Sequence, residues 1–92
     1  MNIWEIAVLK SIEHRGGHAN NQQVYADMES GKFITLHPDH LRATEYGGRP
    51  AYQHQVRSHL TNLLETGDLV RPLRGNYKLT AQGRRRLSAV AA

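Results

Sequence analysis

From Arg49 to Thr61 the chain places Arg49, Gln53, His54, Arg57, Ser58 and Thr61 close together, and Arg71, Arg74, Asn76 and Lys78 follow on either side of Gly75. Guanidinium and ammonium groups pair with phosphate oxygens. Arg and Gln can also make two-point hydrogen bonds to guanine and adenine edges, each discriminating by about 1 to 3 kcal/mol. The chemistry offered is recognition of a polyanion, with double-stranded DNA as the ligand whose phosphates and base edges fit both groups of residues. Charge distribution supports this. Residues 1 to 45 carry a net charge of −2 and residues 46 to 92 a net charge of +6, with only Glu65 and Asp68 opposing the cations of the second half. A field concentrated on one half of a small molecule suits a nucleic acid.

Catalysis has little to work with. The chain has no cysteine, so it has neither a thiol nucleophile nor a disulfide framework. It has no Gly-rich phosphate loop, and Asp27 and Glu29, two residues apart, diverge on a helix. His37-Pro38-Asp39-His40 holds the closest histidine pair, but Pro38 spoils helical spacing and no third ligand stands nearby, whereas zinc sites need three or four protein ligands. No enzyme activity, metal or cofactor is expected. The run Arg84-Arg85-Arg86 reads either as phosphate contacts or as a solvated helix face, because three successive helical positions fan too widely to share one surface.

These residues must be carried by one domain, because 92 residues leave no room for a second core. Ile3, Trp4, Ala7, Val8 and Ile12 recur at helical spacing and predict a helix over 2–15, ended by Gly16-Gly17. His18-Ala19 is long enough for a stub of extended chain before Asn20 or Asn21 caps a helix over 20–30, whose buried stripe is Val24, Tyr25 and Met28. Residues 31–48 read as a loop with one helical turn from Asp39 to Thr44. A third helix is expected over 49–66, with Pro50 in its first turn and Val56, Leu60, Leu63 and Leu64 facing inward. Leu69, Leu73, Tyr77 and Leu79 alternate as strands packed on one side, so 69–79 reads as a hairpin turning at Arg74-Gly75-Asn76. Thr80 then caps a last helix over 81–90. The fold class expected is mainly α with a small β-hairpin (α+β), a winged helix-turn-helix in which helix 49–66 reads DNA and the hairpin 69–79 is the wing.

The carboxy-terminal half resembles the winged-helix domain at the amino terminus of Mrr-type restriction endonucleases. The resemblance rests on Tyr52-Gln53-His54-Gln55-Val56-Arg57, on Leu60 with Leu63-Leu64 and Gly67, on Arg71-Pro72 and Arg74-Gly75-Asn76-Tyr77, and on Leu79-Thr80-Ala81-Gln82-Gly83-Arg84. It covers about the last forty residues well and the first thirty loosely. It implies a DNA-contacting domain, here without the nuclease domain that does the cutting in those enzymes.

Two functional classes are open at this point. In the first, the chain binds duplex DNA in a regulatory role as a homodimer. Helix 2–15 is apolar around its circumference, and Ile6 and Leu9 could form a seam with Leu87 and Val90 of the last helix or could simply be core. In the second, the basic face docks on an acidic protein, as an adaptor or a small inhibitor of a nucleic-acid enzyme. The longest apolar run is far short of a bilayer span of about 20 residues, and Glu5 stands where a signal peptide would be basic, so a cytoplasmic protein with no membrane partner is expected.

Overall fold

Asn2 and Asn20 open the first two helices in the same way. In this computed structural model, which describes residues 1–44, residues 47–90 and the backbone of Ala91, each asparagine side chain accepts a hydrogen bond from the backbone N–H three residues on. The side chain at that third position, Glu5 or Gln23, accepts one back from the asparagine N–H. Each reciprocal box satisfies two donors that a helix start leaves unpaired. They begin α1 (Ile3–His14) and α2 (Asn21–Glu29). Gly16 and Gly17, at φ 87° and 97°, turn the chain out of α1, which side-chain-bearing residues rarely do.

The short extended stub becomes a strand. β1 (His18–Asn20) pairs antiparallel with β3 (Asn76–Leu79), and β2 (Leu69–Leu73) pairs with β3 on its other side, so the sheet order is β1-β3-β2 and the expected hairpin is two-thirds of a three-stranded sheet. With α3 (Ala51–Glu65) and α4 (Ala81–Ala91) the architecture is α+β, four α-helices and a small antiparallel sheet.

The long connection differs from expectation in two places. Its helical turn is a 3₁₀ turn at Pro38–Leu41, earlier than Asp39–Thr44, because Pro38 supplies the fixed φ of a first helical position. Past it the chain doubles back. Ala43 bridges Pro50, Thr44 N–H donates to the Arg49 carbonyl at 2.8 Å, and Ala51 N–H donates to the Arg42 carbonyl at 2.9 Å. This ladder holds Arg49 outside α3 and leaves Pro50 extended, at ψ 141°, as the cap position, so the helix starts at Ala51 instead of Arg49. Residues 45 and 46 of the expected loop lie outside the described residues.

Ala7, Val8 and Ile12 of α1 meet Val24 and Met28 of α2, Tyr52, Val56, Leu60 and Leu63 of α3, and Leu69, Tyr77, Leu79 and Leu87 beyond, all buried. Burial of each such side chain is worth roughly 1.5 to 3 kcal/mol. Tyr25 and Tyr52 stack edge to face, with ring centres 6.1 Å apart. Three apolar positions depart from the expected stripes. Ile3 is 67% exposed and Leu73 lies outside the core, while Leu9 is completely buried. Leu9 and Leu87 are therefore spent in their own chain. A seam between two copies along α1 and α4 would have to rely on Ile3, Val90 and the half-buried Ile6.

Two polar devices lock the layers together. Buried Ser11 donates to Asp27 at 2.7 Å, and Arg15 grips the same carboxylate through two nitrogens at 2.7 and 2.8 Å, tying the end of α1 to α2. The Arg15 hydrogen bond holds the Asp27 carboxyl below the usual carboxylate range, with Ser11 assisting and partial burial opposing. A depressed folded-state pKa stabilises the fold above the unfolded value, about 3.9, and that stability is lost as pH falls through the folded value. Asp27→Asn is therefore expected to cost roughly 1 to 2 kcal/mol in urea unfolding at neutral pH. At pH values below the folded pKa the variant and the wild type should converge.

At the other end, Thr80 Oγ1 accepts from Gly83 N–H at 3.0 Å and starts α4. Gly83 is pressed so closely onto the junction of α3 and β2 that a Cβ there would lie 2.3 Å from the Asp68 carbonyl oxygen and 2.8 Å from Leu79 Cδ1. Backbone cannot give way as a flexible side chain can. Gly83→Ala is expected to lose about 2 kcal/mol net of the better helix propensity of alanine, read as a fall in Tm of about 10 °C.

Candidate nucleic-acid interface

Arginine is the residue whose pairing decides what a basic surface can do, and here the arginines divide into two groups. Arg15 is engaged with Asp27, Arg42 with Asp39 at 3.3 Å, and Arg86 with buried Asp68. Arg84 lies across Gly17. By contrast Arg85, out on α4, and the four arginines Arg49, Arg57, Arg71 and Arg74 are exposed, and none forms an ion pair with an acid among the described residues.

Those four are brought together. Arg57 borders three adjoining hollows on one side of the molecule. The first runs past Arg49, Pro50, Gln53 and His54 at the start of α3. In the second, Arg49, Gln53 and Arg57 face Asn21, Gln22 and Tyr25 of α2. The third holds Arg57 and Thr61 opposite Arg71, Arg74 and Gly75 of the hairpin, with Asn21 again at its edge. Among the described residues no aspartate or glutamate lines any of the three. The result is a strip from Arg49 across the outer face of α3 to the hairpin tip. It is a concave trough between elements. Tyr25 forms part of its floor: burial pushes its hydroxyl above the ordinary range, while the fields of Arg57 and Arg49 pull the other way.

The backbone explains why the trough has this shape. Arg49 is fixed by the ladder that precedes α3. Gln53, Arg57 and Thr61 are four residues apart, so they stack along one stripe of the helix that flanks its core face, Gln53 half-buried beside it and Arg57 and Thr61 exposed. The hairpin turn is tied to the start of α2 by the Asn21 N–H, which donates to the Gly75 carbonyl at 3.2 Å. That contact also brings the positive end of the α2 dipole, equivalent to roughly half a charge, to the trough, with no acid in its first turn.

Not every expected residue joins. Ser58 is exposed on α3 but turned about 100° from Arg57, and it lines none of these hollows. Lys78 pairs across the sheet with His18 and Val70, on the face opposite its buried neighbours Tyr77 and Leu79. Asn76 shares that outer face and borders a separate hollow with His18, Gln23, Pro72 and Leu73. Conversely, Asn21 and Gln22 were missed. They read only as helix-start residues, and the available signal was an uninterrupted Asn-Asn-Gln-Gln run with more polar side chains than one cap consumes. The Asn21 carboxamide oxygen is buried with no hydrogen-bond partner among the described residues.

Among the described residues no group of three His, Cys, Asp or Glu side chains is placed to hold a metal, and no helix is long and apolar enough to cross a membrane. Compared with protein-family models, curated proteins and solved structures, the chain finds no match.

Proposed function

We propose that this protein is a winged helix that binds double-stranded DNA in a regulatory role, with α3 as the helix presented to the major groove and the β2–β3 hairpin as the wing. The observation that carries the reading is the convergence of Arg49, Arg57, Arg71 and Arg74, none of them ion-paired with an acid among the described residues, in a trough that no described carboxylate lines. Leaving cations unpaired and close together costs repulsion that a polyanion relieves. Gln53 and Arg57 on the exposed stripe of α3 supply base-edge readers, His54 lies beside them, and Arg71 and Arg74 flank them as phosphate contacts.

A fluorescence-anisotropy titration with a short duplex at several salt concentrations tests this. Four arginines brought against the duplex should give a log–log slope of affinity against salt of about −3 to −4. Absence of duplex binding at low salt, together with retention of an acidic protein partner, would replace this reading with a protein-docking one.

A further inference from the structure

The register of the sheet does something that core packing alone does not require. Val70 pairs with Lys78 and Leu73 with Asn76, so β2 takes three steps where β3 takes two. One extra residue in a strand reverses the face on which every later side chain stands. Strict alternation from buried Leu69 would send residue 73 to the core. After the bulge, Leu73 instead shares the outer face with Asn76 and is 70% exposed, the most exposed large apolar side chain among the described residues. A lone exposed leucine is ordinary. This one is put there by a bulge, follows a proline that stiffens the strand, and stands between Arg71 and Arg74 beside the hairpin turn.

We propose that Leu73, backed by Pro72, is an apolar wedge that enters the minor groove of the duplex and partly unstacks one base step, while Arg71 and Arg74 hold the phosphates on either side. The inference rests on the duplex-binding reading above. With α3 in the major groove, a hairpin beside it meets the neighbouring minor groove, which is too narrow for a helix but admits a hairpin tip. Leucine and proline are side chains that open base steps there, and pyrimidine–purine steps open most readily. The bulge thus exchanges a core leucine for an exposed one beside the hairpin turn, on the side of the hairpin away from the trough, and the bend that its entry into the groove produces would bring more of the duplex against the trough.

The test uses the whole chain and a duplex of about two helical turns carrying a single central TA step, with 2-aminopurine beside it to report unstacking by a rise in fluorescence. Wild type should raise the signal on binding. Leu73→Ser, which removes an exposed side chain and leaves the core intact, should still bind, with affinity lowered by no more than about fivefold, but without the rise, and Leu73→Met should restore it. Wild type should also bind about tenfold more tightly when a mismatch at that step has already relieved the stacking cost, a preference that Leu73→Ser loses. Wild type that binds without any rise, or Leu73→Ser that raises the signal as wild type does, overturns the wedge alone. Wild type that does not bind duplex at all removes the parent reading and the wedge with it.

Discussion

Arg57→Ala is expected to weaken duplex binding by about 30-fold, the equivalent of roughly 2 kcal/mol, and to make the salt slope shallower by about one unit. The magnitude follows from position. Arg57 borders all three hollows of the trough, so its loss removes the cation common to the α2, α3 and hairpin contacts. It is exposed and has no acidic partner among the described residues, so the fold should lose less than about 0.5 kcal/mol and the melting curve should barely move. Lys78→Ala, on the far face of the sheet, provides the comparison. Its affinity should fall less than about threefold, since a distant exposed cation adds only a screened, long-range term. Anisotropy titrations of both variants at one salt concentration read the difference. Equal losses would mean that net charge, not the trough, governs binding.

The largest expected effect on stability comes from a pair that takes no part in binding. The Asp68 side chain is fully buried. It accepts from Thr66 Oγ1 at 2.7 Å and Gln82 Nε2 at 3.2 Å and pairs with Arg86, whose own side chain is 42% exposed. The two partners are therefore not equivalent. Removing the carboxylate leaves an arginine that can turn to water, whereas removing the arginine leaves a carboxylate with no route to solvent. Arg86→Ala is expected to cost about 4 kcal/mol, and Asp68→Ala about 2 kcal/mol. A small domain has a total stability of only about 5 to 10 kcal/mol, so the first change should remove roughly half of it. Chemical denaturation of both variants measures the asymmetry, and a larger cost for Asp68→Ala would contradict it.

Much of the scaffold is legible in the sequence because periodicity and end signals agree. Val56, Leu60 and Leu63 recur at helical spacing and are buried, and Thr80 caps α4 as its residue type suggests. What escapes is set by long-range pairing. His18-Ala19-Asn20 has no alternation to mark it as a strand and becomes one only because β3 offers an unpaired edge. The pairing of Arg86 with Asp68 spans eighteen residues and follows from the docking of α4, so the Arg84–Arg86 run looked uniform when one of its members was already committed. Leu73 is the sharpest case, because a single bulge inverts the parity on which the alternation argument depends.

The candidate interface was legible in its chemistry but not in its shape. Arg49, Gln53, Arg57, Thr61, Arg71 and Arg74 do come together, yet the contribution of Asn21 and Gln22 depends on the hydrogen bond that ties α2 to the hairpin turn. Ser58 and Lys78 carry suitable side chains on unsuitable faces.

Amide NMR of the isotope-labelled protein titrated with a short duplex tests the central claim most directly. If the trough is the binding surface, the shifts should gather at Asn21 and Gln22, along the Gln53 to Thr61 stripe, and from Arg71 to Gly75, and they should fade as salt is raised. Shifts centred instead on the exposed ends of α1 and α4 around Ile3 and Val90, or no shifts at low salt, would contradict it.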